Sequence, residues 1–282
     1  MTPTGRAIVA GVFGWPAKHS LSPRLHGYWL DEHGIDGAYI PLPVPPESFA
    51  QVVRLLPAMG MAGANVTLPH KEAALASVDE ADELARRIGA VNTIVVRADG
   101  SLLGRNSDAQ GFIGNLREGA PDWRPEDGPA VILGAGGAAR AIAVALFDAG
   151  VPELRIVNRT TSRAEDVAAL VGGRSQVSLW LDRARAMDGA ALVVNATSLG
   201  MTGAAPLDLD LDRLPPGAAV TDTVYTPLET PLLAAARARG NVCVDGLGML
   251  LHQGRMGFAA WFGVEPAVSQ GLRDFVLGGA GA

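Results

Sequence analysis

Short apolar runs alternate with amphipathic stretches along almost the whole chain. Ala7–Phe13 is an apolar run of strand length, and Gly37–Pro41 and Gly63–Thr67 repeat it. Between the first two runs, Ser22 stands as an N-cap, Pro23 at the first helical position and Gly34 just past the end. That punctuation predicts a helix over Pro23–His33. Further helices are expected over Glu47–Ala58 and from Pro69 to Ala76. Asn92–Arg97 and Ser101–Gly104 flank Asp99-Gly100, a hairpin turn signal. A helix from Asp108 to Gly119 then leads into a polar, proline-rich connector, Ala120–Pro129.

Beyond that connector the alternation becomes strict. Strands are expected at Ala130–Leu133, Glu153–Asn158, Ala191–Asn195, Ala219–Thr223 and Asn241–Val244. Helices are expected at Ala138–Ala149, Ser162–Val171 and Pro231–Arg239. Repeated strand–helix units require parallel strands joined by right-handed crossovers. The fold class is therefore α/β, with a doubly wound, Rossmann-type sheet in the second half. Two final helices, Met249–Phe262 and Pro266–Leu277, have no strand partner and should return to the first domain.

Composition narrows the function classes. The chain has 282 residues, enough for one large or two medium domains. A formal net charge of -6 gives no basic footprint for nucleic acid. No run approaches the ~18 apolar residues that a membrane span needs. Ala7–Trp15 lacks a basic leader and is broken by Gly11 and Gly14, so it reads as a strand and not as a signal peptide. The single cysteine, Cys243, cannot form an internal disulfide, so a reducing, cytoplasmic setting is expected. The five histidines show no paired metal-ligand spacing, and no metal is expected.

Val131-Ile-Leu-Gly134-Ala135-Gly136-Gly137-Ala138-Ala139 fits the dinucleotide fingerprint, following a strand and opening a helix. Gly134 permits the tight turn, Gly136 lets backbone approach a pyrophosphate, and Ala139 allows close helix packing. The next strand ends at Asn158-Arg159-Thr160, with Arg163 just beyond. NAD binders place a carboxylate there for the ribose 2′-hydroxyl. Two guanidinium groups instead suit a 2′-phosphate, so NADP is the expected cofactor.

Four polar segments interrupt the apolar pattern of the first domain: His19–Pro23, Asn65–Glu72, Ala90–Thr93 and Asn106–Asp108. Taken singly, Ser22, Thr67 and Asp108 read as helix caps, Asn92 as a turn residue and Lys71 as a solvated cation. Taken jointly they bring hydroxyl, amide, Lys and Asp groups to successive strand ends, where ligands of open α/β sheets bind.

These segments resemble the motifs of the shikimate dehydrogenase family: H-S-x-S-P, N-V-T-x-P-x-K, A-V-N-T and N-[ST]-D. Gly134–Gly137, Asn158–Arg163, Tyr225–Leu232 and Gly246–Gln253 match its later motifs, in family order. The resemblance implies a substrate-binding and catalytic domain at 1–108 with 247–282, and an NADP-binding Rossmann domain at 109–246. It implies that Ser20, Ser22, Thr67, Asn92, Asp108, Tyr225 and Gln253 contact shikimate. Lys71 would be the catalytic acid/base, with Asp108 beside it. Gly134, Ala135, Gly136, Gly137 and Ala138 would cradle the NADP phosphates. Asn158, Arg159, Thr160 and Arg163 would hold the 2′-phosphate, and Thr223 and Gly246 would lie near the nicotinamide. Three positions depart from the family pattern: Gly27, Ala109-Gln110 after the Asp, and Thr223, where Met is common. None of the three removes an expected catalytic group.

The activity so implied is reversible NADPH-dependent reduction of 3-dehydroshikimate to shikimate by a monomer or homodimer, in aromatic amino-acid biosynthesis. An NAD-dependent quinate/shikimate dehydrogenase is the nearest alternative, and Asn158–Arg163 argue against it. A non-catalytic NADP or polyol-acid sensor is the alternative of a different class, and the presence of both Lys71 and Asp108 argues against that.

Overall fold

A computed structural model describes residues 2–278. Met1 and residues 279–282, which the sequence assigns to the first domain, lie outside the described residues. Two units divide the chain, one of 1–107 with 250–282 and the other of 108–249.

The first unit is built on a six-stranded mixed sheet. Its elements are β1 (Ile8–Gly14), α1 (Ser22–Glu32), β2 (Gly37–Pro43), α2 (Pro46–Val53), β3 (Met61–Val66), α3 (Lys71–Ser77), β4 (Glu80–Ala81), α4 (Glu83–Ile88), β5 (Thr93–Val96) and β6 (Leu102–Arg105). The strand order is β2-β1-β3-β5-β6-β4. Strand β1 runs parallel to β2 and β3, whereas β5 is antiparallel to both β3 and β6. Pairing of Asn65 with Thr93, and of Thr93 with Arg105, fixes the polarity. The ends of β1, β3 and β6 and the start of β5 therefore share one edge of the sheet. Phe13, Phe49, Leu56, Ala64, Ile94 and Leu102 pack in the core of this unit.

The second unit opens with α5 (Asp108–Gly119) and continues with β7 (Ala130–Leu133), α6 (Gly137–Ala149), β8 (Leu154–Asn158), α7 (Thr161–Ala169), β9 (Ser175–Leu179), β10 (Leu192–Asn195), β11 (Ala219–Asp222), α8 (Pro231–Ala238) and β12 (Val242–Val244). All six strands pair in parallel, in the order β12-β11-β10-β7-β8-β9. Every residue of β7, β10 and β11 is buried. Burial on both faces explains their unbroken apolar runs. The order reverses between β7 and β10, so the crevice of a doubly wound sheet falls at the end of β7.

Helix α9 (Leu247–Phe262) begins in the second unit and continues into the first, and α10 (Gln270–Gly278) follows in the first. The Trp261 indole donates to the Ile94 carbonyl at 3.0 Å, and the Trp29 indole donates to the Ala267 carbonyl at 3.0 Å. The expected return of the C-terminal helices to the first domain is thus observed.

Several local expectations are corrected. Helix α2 ends at Val53, and the chain turns from there to Gly60. Helix α3 starts at Lys71, not Pro69. Three elements were not anticipated: β4, α4 and the edge strand β9. Asp82 caps α4 by accepting from the Ala85 N–H at 2.7 Å, and Gly89 closes it with φ 76°.

Candidate active site

The polar segments of the first unit meet at the shared sheet edge described above. Ser20 and Ser22 follow β1, Thr67 and Lys71 follow β3, Asn92 precedes β5, and Ser107 follows β6. Asn92 reaches this edge because β5 runs antiparallel, so that the start of the strand, and not its end, faces the site.

The cap readings of Ser22 and Thr67 do not hold. Ser22 lies inside α1, whose N-cap position is Leu21 with no side-chain cap hydrogen bond. Helix α3 has His70 at its N-cap position, again without a side-chain cap. Ser22 is buried and Thr67 half-buried. Asp108 is the buried first residue of α5.

Asn92 is the centre of a buried amide–hydroxyl cluster. Its Oδ1 accepts from the Ser107 backbone N–H at 2.8 Å and from the Thr93 hydroxyl at 3.0 Å. Its amide donates to Ser107 Oγ at 3.0 Å and to Gln253 Oε1 at 3.4 Å. The side chain that looked like a turn residue is therefore a structural junction. It holds Ser107 immediately before Asp108 and meets Gln253 on α9. Lys71 is half-buried in the first turn of α3, and its carbonyl accepts from the Val91 N–H at 2.9 Å. That bond ties the start of α3 to the segment carrying Asn92.

The second unit carries the glycine turn. Gly134 has φ 113°, and a β-carbon there would come within 3.0 Å of the Ala196 carbonyl oxygen. Only glycine suits that position. Gly136 is the N-cap residue of the 13-residue helix α6 and provides no side-chain cap. A β-carbon at Gly136 would meet nothing within 4 Å. Open space thus lies before a helix start whose first N–H groups lack intrahelical partners, an arrangement that fits a bound phosphate. Asn158 ends β8, and its amide donates to the Thr160 carbonyl at 2.9 Å. Arg159, Thr160 and Arg163 are exposed around the first turn of α7. Two guanidiniums and no carboxylate at this strand end fit a 2′-phosphate.

Asp222, which the sequence reading did not single out, organises the loop after β11. It is buried and accepts from the Asn195 amide at 2.9 Å, the Val224 N–H at 2.9 Å and the Thr230 hydroxyl at 2.7 Å. Burial raises its pKa, and the three donors partly offset this. The loop so fixed carries Thr223 and Tyr225. Burial also pushes the Tyr225 phenol up, so it remains a hydrogen-bond donor at neutral pH. Gly246 is buried at the end of the sheet, just after β12.

Known proteins place these features in one family. The family model described as "Shikimate dehydrogenase substrate binding domain" matches residues 12–94, and the model "Shikimate / quinate 5-dehydrogenase" matches residues 124–201. The chain is 61% identical to a "Shikimate dehydrogenase (NADP(+))" of Paramagnetospirillum magneticum, over 97% of this chain and 99% of that protein. It is also 61% identical to the protein of the same name from Rhodospirillum rubrum, over 98% of this chain and 99% of the other. Among solved structures, shikimate 5-dehydrogenase of Thermus thermophilus, in complex with NADP(H) and shikimate, superposes with a TM-score of 0.85. That protein is 39% identical, over 96% of this chain and 98% of its own. Relatives this similar over nearly the whole of both chains, together with family models matched in both units, show that the chain belongs to the shikimate dehydrogenase family.

Proposed function

We propose that the protein catalyses the reversible NADPH-dependent reduction of 3-dehydroshikimate to shikimate. The observation that carries this reading is the 61% identity, over nearly full length, to two proteins named for that NADP-dependent activity. The glycine turn and the arginine pair after β8 support NADP as the cofactor. The polar edge of the first unit supports a small, hydroxyl-rich anion as the substrate, because such a ligand needs both donors and acceptors around it.

Gly134, Ala135, Gly136, Gly137 and Ala138 would hold the pyrophosphate. Asn158, Arg159, Thr160 and Arg163 would hold the 2′-phosphate, and Thr223 and Gly246 would lie on the nicotinamide side. When bound, NADPH supplies the hydride. Reduction builds negative charge on the ketone oxygen, and the Lys71 ammonium would donate a proton to that oxygen from Nζ. In the reverse direction, neutral Lys71 would accept the alcohol proton. Asp108 would assist Lys71 in this proton transfer. Ser20, Ser22, Thr67, Asn92, Tyr225 and Gln253 would orient the substrate.

The first unit would therefore be the substrate and catalytic domain, and the second the NADP domain. No helix among the described residues is long and apolar enough to cross a membrane. The lone Cys243 fits a cytoplasmic setting. The testing experiment is turnover of Lys71→Ala with shikimate and NADP. The reading predicts a loss of about 10²–10⁴ with substrate still bound, and wild-type turnover would overturn the assignment of Lys71.

A further inference from the structure

A chain of buried polar side chains runs beneath the proposed substrate residues of the first unit. The Tyr39 hydroxyl donates to Asn65 Oδ1 at 2.6 Å. The Asn65 amide donates to the Asn92 carbonyl and to Thr93 Oγ1, both at 3.2 Å. Thr93 then donates to Asn92 Oδ1 at 3.0 Å, and Asn92 meets Ser107 and Gln253. The proposed substrate contact Asn92 is thus tied to the buried Tyr39 phenol through Asn65 and Thr93.

Direction is fixed along this chain. A phenol has one proton, and Tyr39 gives it to Asn65 Oδ1, which leaves the Asn65 amide nitrogen to donate onward to Asn92 and Thr93. The phenol is also held in place. Its ring stacks on His26 with centroids 3.9 Å apart and planes 9° from parallel. The His26 ring in turn packs against Trp29, Phe258 and Trp261. A side-chain amide can turn end for end, and a fixed donor on its oxygen selects one of the two orientations.

We propose that Tyr39 is a positioning residue of the substrate site. Its stacked phenol fixes the Asn65 amide and, through Asn65 and Thr93, the Asn92 side chain, so that contact keeps one arrangement before substrate arrives. This inference rests on the substrate-site assignment proposed above. Tyr39 touches no substrate atom in this scheme. It acts on affinity through groups that do, because pre-organised contacts lose less freedom on binding.

Tyr39→Phe keeps the ring and its stack and removes only the hydroxyl. Steady-state kinetics should show the KM for shikimate raised about fivefold or more, with kcat and the KM for NADP within about twofold of wild type. Combining Tyr39→Phe with Thr93→Val should raise KM little beyond Thr93→Val alone, since both act through the Asn92 side chain. A merely structural tyrosine predicts a lower melting temperature with an unchanged shikimate KM, and that result overturns the proposal. Fully additive effects in the double variant also overturn it. Should Tyr39→Phe not fold, Thr93→Val breaks the same chain between Asn65 and Asn92 and must raise the shikimate KM; an unchanged KM there is equally fatal. Wild-type protein inactive on shikimate would overturn the functional reading and this inference together. Active wild type with an unaffected Tyr39→Phe overturns this inference alone.

Discussion

Asn92 and Gln253 stand 161 positions apart in the chain, yet the amide of one donates to the side-chain oxygen of the other at 3.4 Å. The contact joins the start of β5 to the C-terminal helix α9. Loss of Asn92 leaves several buried partners unpaired, including the Ser107 backbone N–H. Asn92→Ala should therefore lower both the melting temperature and shikimate affinity, at about 1–3 kcal/mol for each unpaired group. Gln253→Ala removes one end of the network and should raise the shikimate KM with a smaller loss in the melt. Thermal unfolding alongside kinetics checks both. A Gln253→Ala protein with wild-type KM would leave that side chain a purely structural clasp.

Lys71 and Asp108 carry the proposed proton chemistry. Lys71→Arg should not restore the turnover lost in Lys71→Ala, because a guanidinium does not release its proton near neutral pH. Asp108→Asn keeps the shape and removes the charge, so turnover should fall and its pH profile should move. A pure helix-start role predicts otherwise, since Asn suits that position about as well as Asp. Wild-type turnover in Asp108→Asn with an unchanged melt would remove Asp108 from the mechanism.

Cofactor choice should reside in Arg159 and Arg163. Replacing both with Ala removes two charge-assisted contacts to the 2′-phosphate, and about tenfold or more of the NADP preference should go. The constants for NAD should hardly move. Equal weakening of both cofactors, measured by titration of each, would place the two arginines outside the 2′-phosphate site.

His26 predicts an acid limb of stability. Its ring is fully buried, and burial lowers its pKa from 6.5 to about 3. Asn65 nearby opposes this slightly, although neither ring nitrogen makes a hydrogen bond of normal geometry. In the unfolded chain His26 binds a proton near its ordinary pKa. Between about pH 6.5 and about 3 the unfolded state therefore holds more protons, and stability falls as pH falls. The slope from this one group is at most about 1.4 kcal/mol per pH unit. His26→Phe should flatten that limb in denaturant melts run between pH 7 and pH 4. An unchanged slope would assign the acid sensitivity to other groups.

Much of the second unit was legible in sequence, because parallel strands buried on both faces leave unbroken apolar runs and the phosphate turn needs glycines at fixed offsets. Strand β9 escaped because Ser175–Leu179 is an edge strand rich in polar residues, none of them fully buried. Strand β4 has two residues and helix α4 six, too short for a periodic signal. In the first unit the motif residues were visible, but their relationships were not. Ser22 and Thr67 looked like caps because a polar residue before a proline-led helix is the local signature of one. The tie between Tyr39 and Asn65 depends on two strands separated by β1 in the sheet, and no local pattern announces it. Asp222 was hidden at the end of a buried run, where a carboxylate satisfied by three donors has no sequence signature of its own.

NADP-dependent shikimate oxidation is decided by purified protein with shikimate and either NADP or NAD, followed at the absorbance band of the reduced nicotinamide. Shikimate-dependent reduction of NADP is expected, with kcat/KM for NADP at least about tenfold above that for NAD. Absence of reduction with either cofactor, or NAD used as well as NADP, would contradict it.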